Sequence, residues 1–185
     1  MAAAAPPAYP ANLQIPVDLF ASRNRWGLIC RGDLRFTDAS GNLVFVVGSY
    51  SSNSAVPPNK RLLLDPAGNV LITMDRNSNG SWQGFKQDTQ LIFRVERKLK
   101  TFSKTELEVF LVGENRGGLD SSFKMIGCPF QRSCTIYRGN SIVAQTKLMY
   151  KLGKVYIGRC RFQTTIFPGF VDCVLIAALI VIFFD

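Results

Sequence analysis

The sequence predicts a mainly β fold, a closed antiparallel barrel of ten to twelve strands with one hydrophobic α-helix at the carboxyl end. Three observations support this prediction. Short apolar runs alternate with turn residues from Pro16 onward, the motif D-x-x-G-N recurs between such runs, and Phe170 to Phe184 is unbroken apolar sequence apart from one aspartate. So many short strands in 185 residues favour closure of the sheet, because a barrel leaves no unpaired strand edges.

Three segments show the chemistry of β-hairpins. Leu34 to Val47 and Leu62 to Met74 each contain D-x-x-G-N between β-prone runs. In such a turn the aspartate accepts backbone hydrogen bonds and the glycine supplies a positive φ. Ser133 to Lys147 repeats the arrangement around Gly139 and Asn140. Three hairpins of one kind indicate an antiparallel sheet.

Three further strands are predicted from alternation. Thr89 to Leu99 and Thr105 to Gly113 are joined by the basic turn KTFSK, and Lys154 to Phe167 precedes the Pro-Gly break. Since strand side chains alternate between faces, the first of these strands presents Arg94, Glu96 and Lys98 on one face and Phe93, Val95 and Arg97 on the other.

The segment from Phe170 to Phe184 is predicted to be a helix that is apolar on every side, which is found either in lipid or inside a protein. Its length of about 22 Å is short of the ~30 Å hydrocarbon layer. Asp172 at its first turn would complement the helix dipole. We therefore predict a core helix over residues 170–184, with a membrane anchor as the alternative. Its core residues are Phe170, Val174, Leu175, Ala178, Leu179 and Ile182.

The amino-acid composition of the chain limits the classes of function that we predict for it. Residues 1–15, rich in alanine and proline, are predicted to be a flexible tail, and residues 16–185 a single domain. The chain has no histidine, which removes the usual general base and most zinc sites, so no catalytic residue, metal or cofactor is predicted. Its net charge of +9 would attract an anionic partner.

Two other groups of residues are given structural interpretations. The segment DRNSNG, Asp75 to Gly80, resembles the start of a calcium loop, but Lys86 stands where a bidentate acid is needed, so a hairpin turn is predicted. The cysteines are predicted to be reduced thiols that act as small buried hydrophobes. They are Cys30, Cys128, Cys134, Cys160 and Cys173.

The densest basic cluster is the candidate binding site. Its residues are Arg94, Arg97, Lys98, Lys100 and Lys104, and the candidates to join them are Lys60, Arg61 and Lys86. They are interpreted either as solvated charges on barrel strands or as a site for an acidic phospholipid head group, to which each basic residue can contribute about 1 kcal/mol. No recognised nucleic-acid motif is present, which argues against that partner. No small-molecule substrate is identified either.

Several motifs together resemble the plant LURP-one-related proteins of the tubby C-terminal-like superfamily. They include TDASGNLVFVV, LLLDPAGNVLITM, FRVERK, KTELEVFLVG, RSCTIYRGNSIVAQTK and FPGFVDCVLIAALIVIFFD, and they cover Asp18 to Asp185. The resemblance implies a barrel of about twelve strands around a central helix, with kinship to tubby proteins and phospholipid scramblases. It implies no enzymatic chemistry. Tubby domains bind phosphoinositides through exterior basic residues, which cannot be matched individually onto this sequence.

We therefore expect a non-enzymatic, monomeric, intracellular β-barrel module that binds acidic phospholipid, such as phosphoinositide, or a signalling protein in plant defence or stress signalling. Its expected location is the cytoplasm, including the inner face of the plasma membrane, with the nucleus left open. The alternative is a tail-anchored or scramblase-like membrane protein.

Overall fold

A computed structural model of the chain describes residues 15–26, 29–48, 59–101, 103–113, 122–149, 160–169 and 172–185. Residues 24–26 and 29–32 are described by their backbone alone. The predicted tail, except for residue 15, lies outside these ranges. So does the first part of the strand predicted to begin at Lys154.

Twelve strands in the described residues close into one antiparallel barrel, in which each strand pairs with its neighbours in the chain and β1 pairs with β12. The predicted fold class is thereby confirmed. The strands are β1 (Val17–Trp26), β2 (Ile29–Thr37), β3 (Leu43–Gly48), β4 (Lys60–Leu64), β5 (Val70–Arg76), β6 (Trp82–Lys86), β7 (Gln90–Lys100), β8 (Thr105–Leu111), β9 (Phe123–Cys128), β10 (Ser133–Arg138), β11 (Ser141–Leu148) and β12 (Arg161–Ile166).

The two D-x-x-G-N motifs form the β2–β3 and β4–β5 turns, as predicted. Asp38 Oδ1 accepts hydrogen bonds from the backbone N–H groups of Ser40 and Asn42, at 2.9 and 2.8 Å. Asp65 Oδ1 accepts one from Asn69 N–H at 2.8 Å. The glycines of the two motifs have φ values of 86° and 90°, which a side chain would strain.

The helix α1 (Cys173–Phe183) begins three residues later than predicted. The physical reason is its cap: Asp172 Oδ1 accepts a hydrogen bond from Leu175 N–H at 3.0 Å, so the aspartate precedes the first turn instead of lying within it. Of the predicted core residues, Ala178, Leu179 and Ile182 are fully buried. The first-turn residues Val174 and Leu175 are partly buried, and Phe170 lies outside the described residues.

The barrel encloses α1, whose buried residues form one apolar core with the inward side chains of the strands. The alternative prediction placed this segment in lipid as a tail anchor, and it is wrong because the chain's own strands surround the helix. At 11 residues α1 is about 16 Å long. In the described ranges, no helix has the length and apolarity required to span a bilayer.

The helix gives the barrel two distinguishable ends. We call the end where α1 begins the start end, and it carries Asp172 and the β2–β3, β4–β5, β6–β7 and β10–β11 turns. We call the opposite end the finish end, and it carries Asp185 and the β5–β6, β7–β8 and β9–β10 turns. Turns alternate between the ends because consecutive strands run antiparallel.

Candidate anion-binding site

In the structure, the residues of the predicted basic cluster lie along β7 and in the turn that follows it. Phe93 and Val95 are buried and Arg94 and Lys98 are exposed, which confirms the predicted alternation. Arg97 lies on the inward face with Phe93 and Val95, and is only partly exposed. The five predicted residues therefore do not share one surface.

Two lysines of the predicted cluster pair with glutamates on the outer surface. Lys98 Nζ lies 3.2 Å from Glu108 Oε2 and 3.5 Å from Glu96 Oε2. The hydrogen bond with Glu108 raises the pKa of Lys98 above its usual value. Lys104 Nζ lies 3.5 Å from Glu106 Oε2. Because these pairs are exposed to water, salt screens them and a stronger anion can displace them.

Arg97 belongs with four other arginines at the finish end, which we call the rim arginines. They are Arg23, Arg61, Arg76, Arg97 and Arg132. Four of them lie on strands, each at the next inward-facing position beyond the apolar core. Arg23 follows Leu19 and Ala21 on β1, while Arg76 follows Ile72 and Met74 on β5.

The position of Arg61 follows from the strand register, and that of Arg132 from a tight turn. Arg61 pairs with Met74 across β4 and β5, which places it one step beyond the buried Leu63. Arg132 has a φ of 52° and a ψ of 31°, directly after the short 3-10 helix Pro129–Gln131. That left-handed conformation turns the chain back into β10 at the finish end.

Asp185 is the carboxylate around which two rim arginines converge. Arg61 Nη2 and Nε lie 2.8 and 3.0 Å from Asp185 Oδ1. Arg76 Nη1 lies 3.7 Å from Oδ2, and its guanidinium carbon lies 5.9 Å from the centroid of the Trp82 ring. The Asp185 side chain is 15% exposed, so these contacts are only partly screened by water.

Arg132 contacts the last turn of α1. Its Nη1 is 3.5 Å from the Phe184 carbonyl oxygen, and its guanidinium carbon lies 5.1 Å from the centroid of the Phe184 ring. A cation at this position is favourable because the carboxyl end of a helix carries partial negative charge. Arg132 therefore helps to close the finish end over the helix.

Arg23 and Arg132 line a small pocket beside the last turn of α1, with room in its enclosed part for about one water molecule. Burial lowers the pKa of Arg23, and the nearby charge of Arg61 lowers it further, while Asp185 and Asp33 act in the opposite direction. An arginine so shifted is still charged at neutral pH. The apolar walls of the pocket are Leu34, Phe162, Val181 and Phe184, together with Cys160.

The basic cluster predicted from the sequence includes Arg97, with Arg61 as a candidate to join it, but not Arg23, Arg76 or Arg132. A usable signal was present: L-x-A-x-R, I-x-M-x-R and F-x-V-x-R end at residues 23, 76 and 97, each with two inward apolar residues before the arginine. Alternation alone shows that each arginine faces inward. It does not show that they meet at one end of the barrel.

The segment DRNSNG ends β5 and forms the β5–β6 turn, as the hairpin interpretation predicted. Asn77 N–H donates to the Ser81 carbonyl at 2.8 Å, and Gly80 N–H donates to the Asn77 carbonyl at 2.9 Å. Among the residues with described side chains, no group of three metal-binding types lies together.

The cysteines follow the prediction in part. Cys128, Cys134 and Cys173 are buried thiols that form no disulfide, and burial raises the pKa of the Cys134 and Cys173 thiols, which makes these two poor nucleophiles. Cys160, in contrast, takes part in a disulfide, so the prediction of a reduced thiol is wrong there. The side chain of Cys30 lies outside the described part of the chain.

Comparison with known proteins places these features in a family. The sequence pattern of the LURP-one-related family matches residues 17–185. Protein LURP-one-related 7 of Arabidopsis thaliana is 46% identical over 174 residues, covering 92% of this chain and 90% of its own length. Protein LURP-one-related 15 of the same plant is 32% identical over 179 residues, covering 92% of this chain and 80% of its own length.

The fold agrees with a solved structure. The crystal structure of an Arabidopsis thaliana protein superimposes with a TM-score of 0.65 at 28% identity, covering 95% of this chain and 93% of the other. Twelve antiparallel strands around a carboxyl-terminal helix, a family pattern spanning the whole barrel and relatives above 30% identity all lead to one assignment. This chain belongs to the LURP-one-related family.

Proposed function

We propose that this protein is a non-catalytic module that docks on acidic, phosphoinositide-containing membrane through the finish end of its barrel. The observation that supports this most directly is a mixture of basic and apolar side chains on neighbouring strands and turns of that end. Lys100 and Lys104 flank the β7–β8 turn, and Leu99, Phe130 and Met149 are 39%, 46% and 41% exposed.

Such a surface suits the interface of a bilayer. Apolar side chains enter the boundary between head groups and acyl chains, while basic residues remain among the acidic head groups. Each lysine or arginine near an acidic leaflet contributes about 1 kcal/mol. Arg94, farther from the turn on β7, and Lys98 would add to the attraction at longer range.

The start end offers a poorer match to an acidic surface. It also carries exposed apolar side chains, such as Leu43 and Val70, but Asp38 and Asp65 lie in its turns and Asp172 caps the helix there. Like charges repel across the interface. We therefore expect the barrel to approach a membrane with its finish end first.

A non-catalytic role is consistent with the chain as well. The sequence has no histidine, and the family to which it belongs is not an enzyme family. The resemblance to LURP-one-related proteins connects this docking to plant defence or stress signalling at the cytoplasmic face of the plasma membrane, where we propose that the protein acts as a monomer.

The test is cosedimentation with phosphatidylcholine vesicles that either lack or contain about 5% phosphatidylinositol bisphosphate. We expect binding only to the second kind, with Lys100→Ala weakening it about fivefold because one lysine contributes about 1 kcal/mol. Lys86→Ala is the matched control, an exposed lysine on a strand end facing the start end.

Equal losses for Lys86→Ala and Lys100→Ala would contradict docking through the finish end. If neither kind of vesicle bound the protein, the membrane proposal would fail, and a signalling protein would become the partner to search for.

A further inference from the structure

The rim arginines outnumber the carboxylates that the described contacts place near them, which are Asp185 and Asp33. Asp185 is shared by Arg61 and Arg76. The side chain of Arg23 makes no hydrogen bond with a residue in the described ranges, although the charges of Asp185 and Asp33 act on it, and Arg97 Nε is buried there without a hydrogen-bond partner. Because an excess of positive charge in a partly buried site is unfavourable, this end would be stabilised by a bound anion.

The pocket indicates the kind of anion. Arg23 and Arg132 line it from β1 and from the turn before β10, and no carboxylate lines it among the described residues. Guanidinium groups bind phosphate oxygens through paired, charge-assisted hydrogen bonds. Since the enclosed part holds about one water molecule, it fits a phosphate oxygen but not the body of a larger ligand.

The negative end of the α1 dipole lies close by and opposes anion binding. Its effect is reduced because the Phe184 carbonyl already accepts a hydrogen bond from Arg132, and because the dipole's influence falls off within one helical turn. The Asp185 carboxylate opposes anion binding as well, but its single charge is shared by Arg61 and Arg76, whereas two arginine charges line the pocket.

We infer that the rim arginines, led by Arg23 and Arg132, bind a phosphate monoester at this pocket, with the organic part of the ligand remaining outside. The group could belong to a soluble phosphate ester or to a lipid head group. The pocket is lined by different residues from those on which the proposed membrane docking depends, which are Lys100, Lys104 and the apolar residues of the turns.

The first experiment titrates the full-length protein with inorganic phosphate by calorimetry, using sodium chloride to hold ionic strength constant. Saturable binding is expected. Arg23→Met and Arg132→Met should each weaken it about tenfold, as expected for a lost hydrogen bond to a charged group. Arg161→Met is the matched control, because Arg161 is exposed at the same end but faces outward, and it should change affinity less than about twofold.

A second variant keeps the test decisive if Arg23→Met does not fold. Arg23→Lys retains the charge but loses the planar fork, and phosphate affinity should still fall severalfold. Melting curves in phosphate and in chloride provide the matching measurement. If phosphate raised the melting temperature no more than chloride at equal ionic strength, or if Arg161→Met weakened binding as much as Arg23→Met, the inference would be overturned.

The second experiment identifies the source of the phosphate group. Vesicles of phosphatidylcholine with phosphatidic acid present a phosphate monoester on a lipid. If the site takes the lipid, vesicle binding requires Arg23 and Arg132 and is competed by inorganic phosphate. If the site takes a soluble ester, Arg23→Met weakens phosphate binding by the same factor as before but leaves vesicle binding unchanged. Loss of vesicle binding in Lys100→Ala with phosphate binding intact separates this site from the membrane surface.

Discussion

The two ends of the barrel close over the same helix by different means. At the start end, the polar groups of the turns and of the helix cap are satisfied locally: Asp172 caps α1 by accepting a hydrogen bond from Leu175 three residues later, and Asp38 accepts one from Asn42 four residues later. At the finish end the contacts are distant in sequence, for Arg61 and Asp185 are 124 residues apart. The turns and helix cap of the start end are therefore encoded by short motifs, whereas the contacts around Asp185 at the finish end form only when the barrel has closed.

Both ends of the barrel close over α1, so the comparison between them requires that α1 is packed inside the barrel. Leu179 lies at its centre with 0% exposure, so Leu179→Ala should lower the free energy of unfolding by about 2–5 kcal/mol through lost burial and a cavity. Val174→Ala is the control at a partly buried position and should cost clearly less. Urea denaturation measures both. A loss under about 1 kcal/mol for Leu179→Ala would mean that α1 is not packed inside the barrel.

The comparison is sharpened by the aspartates that stand at the two ends of α1. Asp185→Asn leaves Arg61 and Arg76 without their carboxylate and should cost about 1.5–3 kcal/mol at low salt, less at high salt. Asp172→Asn should change stability by less than about 0.5 kcal/mol, because asparagine is an equally good helix cap. Urea denaturation at two salt concentrations checks both. Equal costs for the two variants would remove the proposed difference between the ends.

The features that could be predicted from the sequence are the local ones, and the feature that could not depends on contacts between distant residues. The hairpin turns, the alternation on β7 and the enclosed helix could be predicted because each depends on neighbours in the chain or on composition. The start of α1 was also readable, since Asp172 is a preferred capping residue and Phe170 precedes it. The rim arginines could not be grouped from the sequence. Their meeting depends on strand register and closure, which bring Arg23, Arg61 and Arg132 to one end from different parts of the chain.

The smallest expected effect concerns the start end and its dependence on pH. The side-chain hydrogen bond from Asn42 lowers the pKa of Asp38, and that from Asn69 lowers the pKa of Asp65. A carboxyl with a lowered pKa stabilises the fold above its unfolded pKa of about 3.9, and that contribution is lost as the pH falls through the folded value. We therefore expect both turns to lose stability on acidification below about pH 4.

Replacing the asparagine of one turn tests that turn alone, and the carboxyl group of the other turn serves as the control. Asn42→Ala should raise the pKa of Asp38 toward its ordinary value and leave that of Asp65 unchanged, because each turn is satisfied within its own motif. Asn69→Ala should do the reverse. Carbon-13 NMR titration of the two carboxyl groups measures both values in one sample. A shift of both carboxyl pKa values in either variant would show that the start end is coupled over long range, as the finish end is.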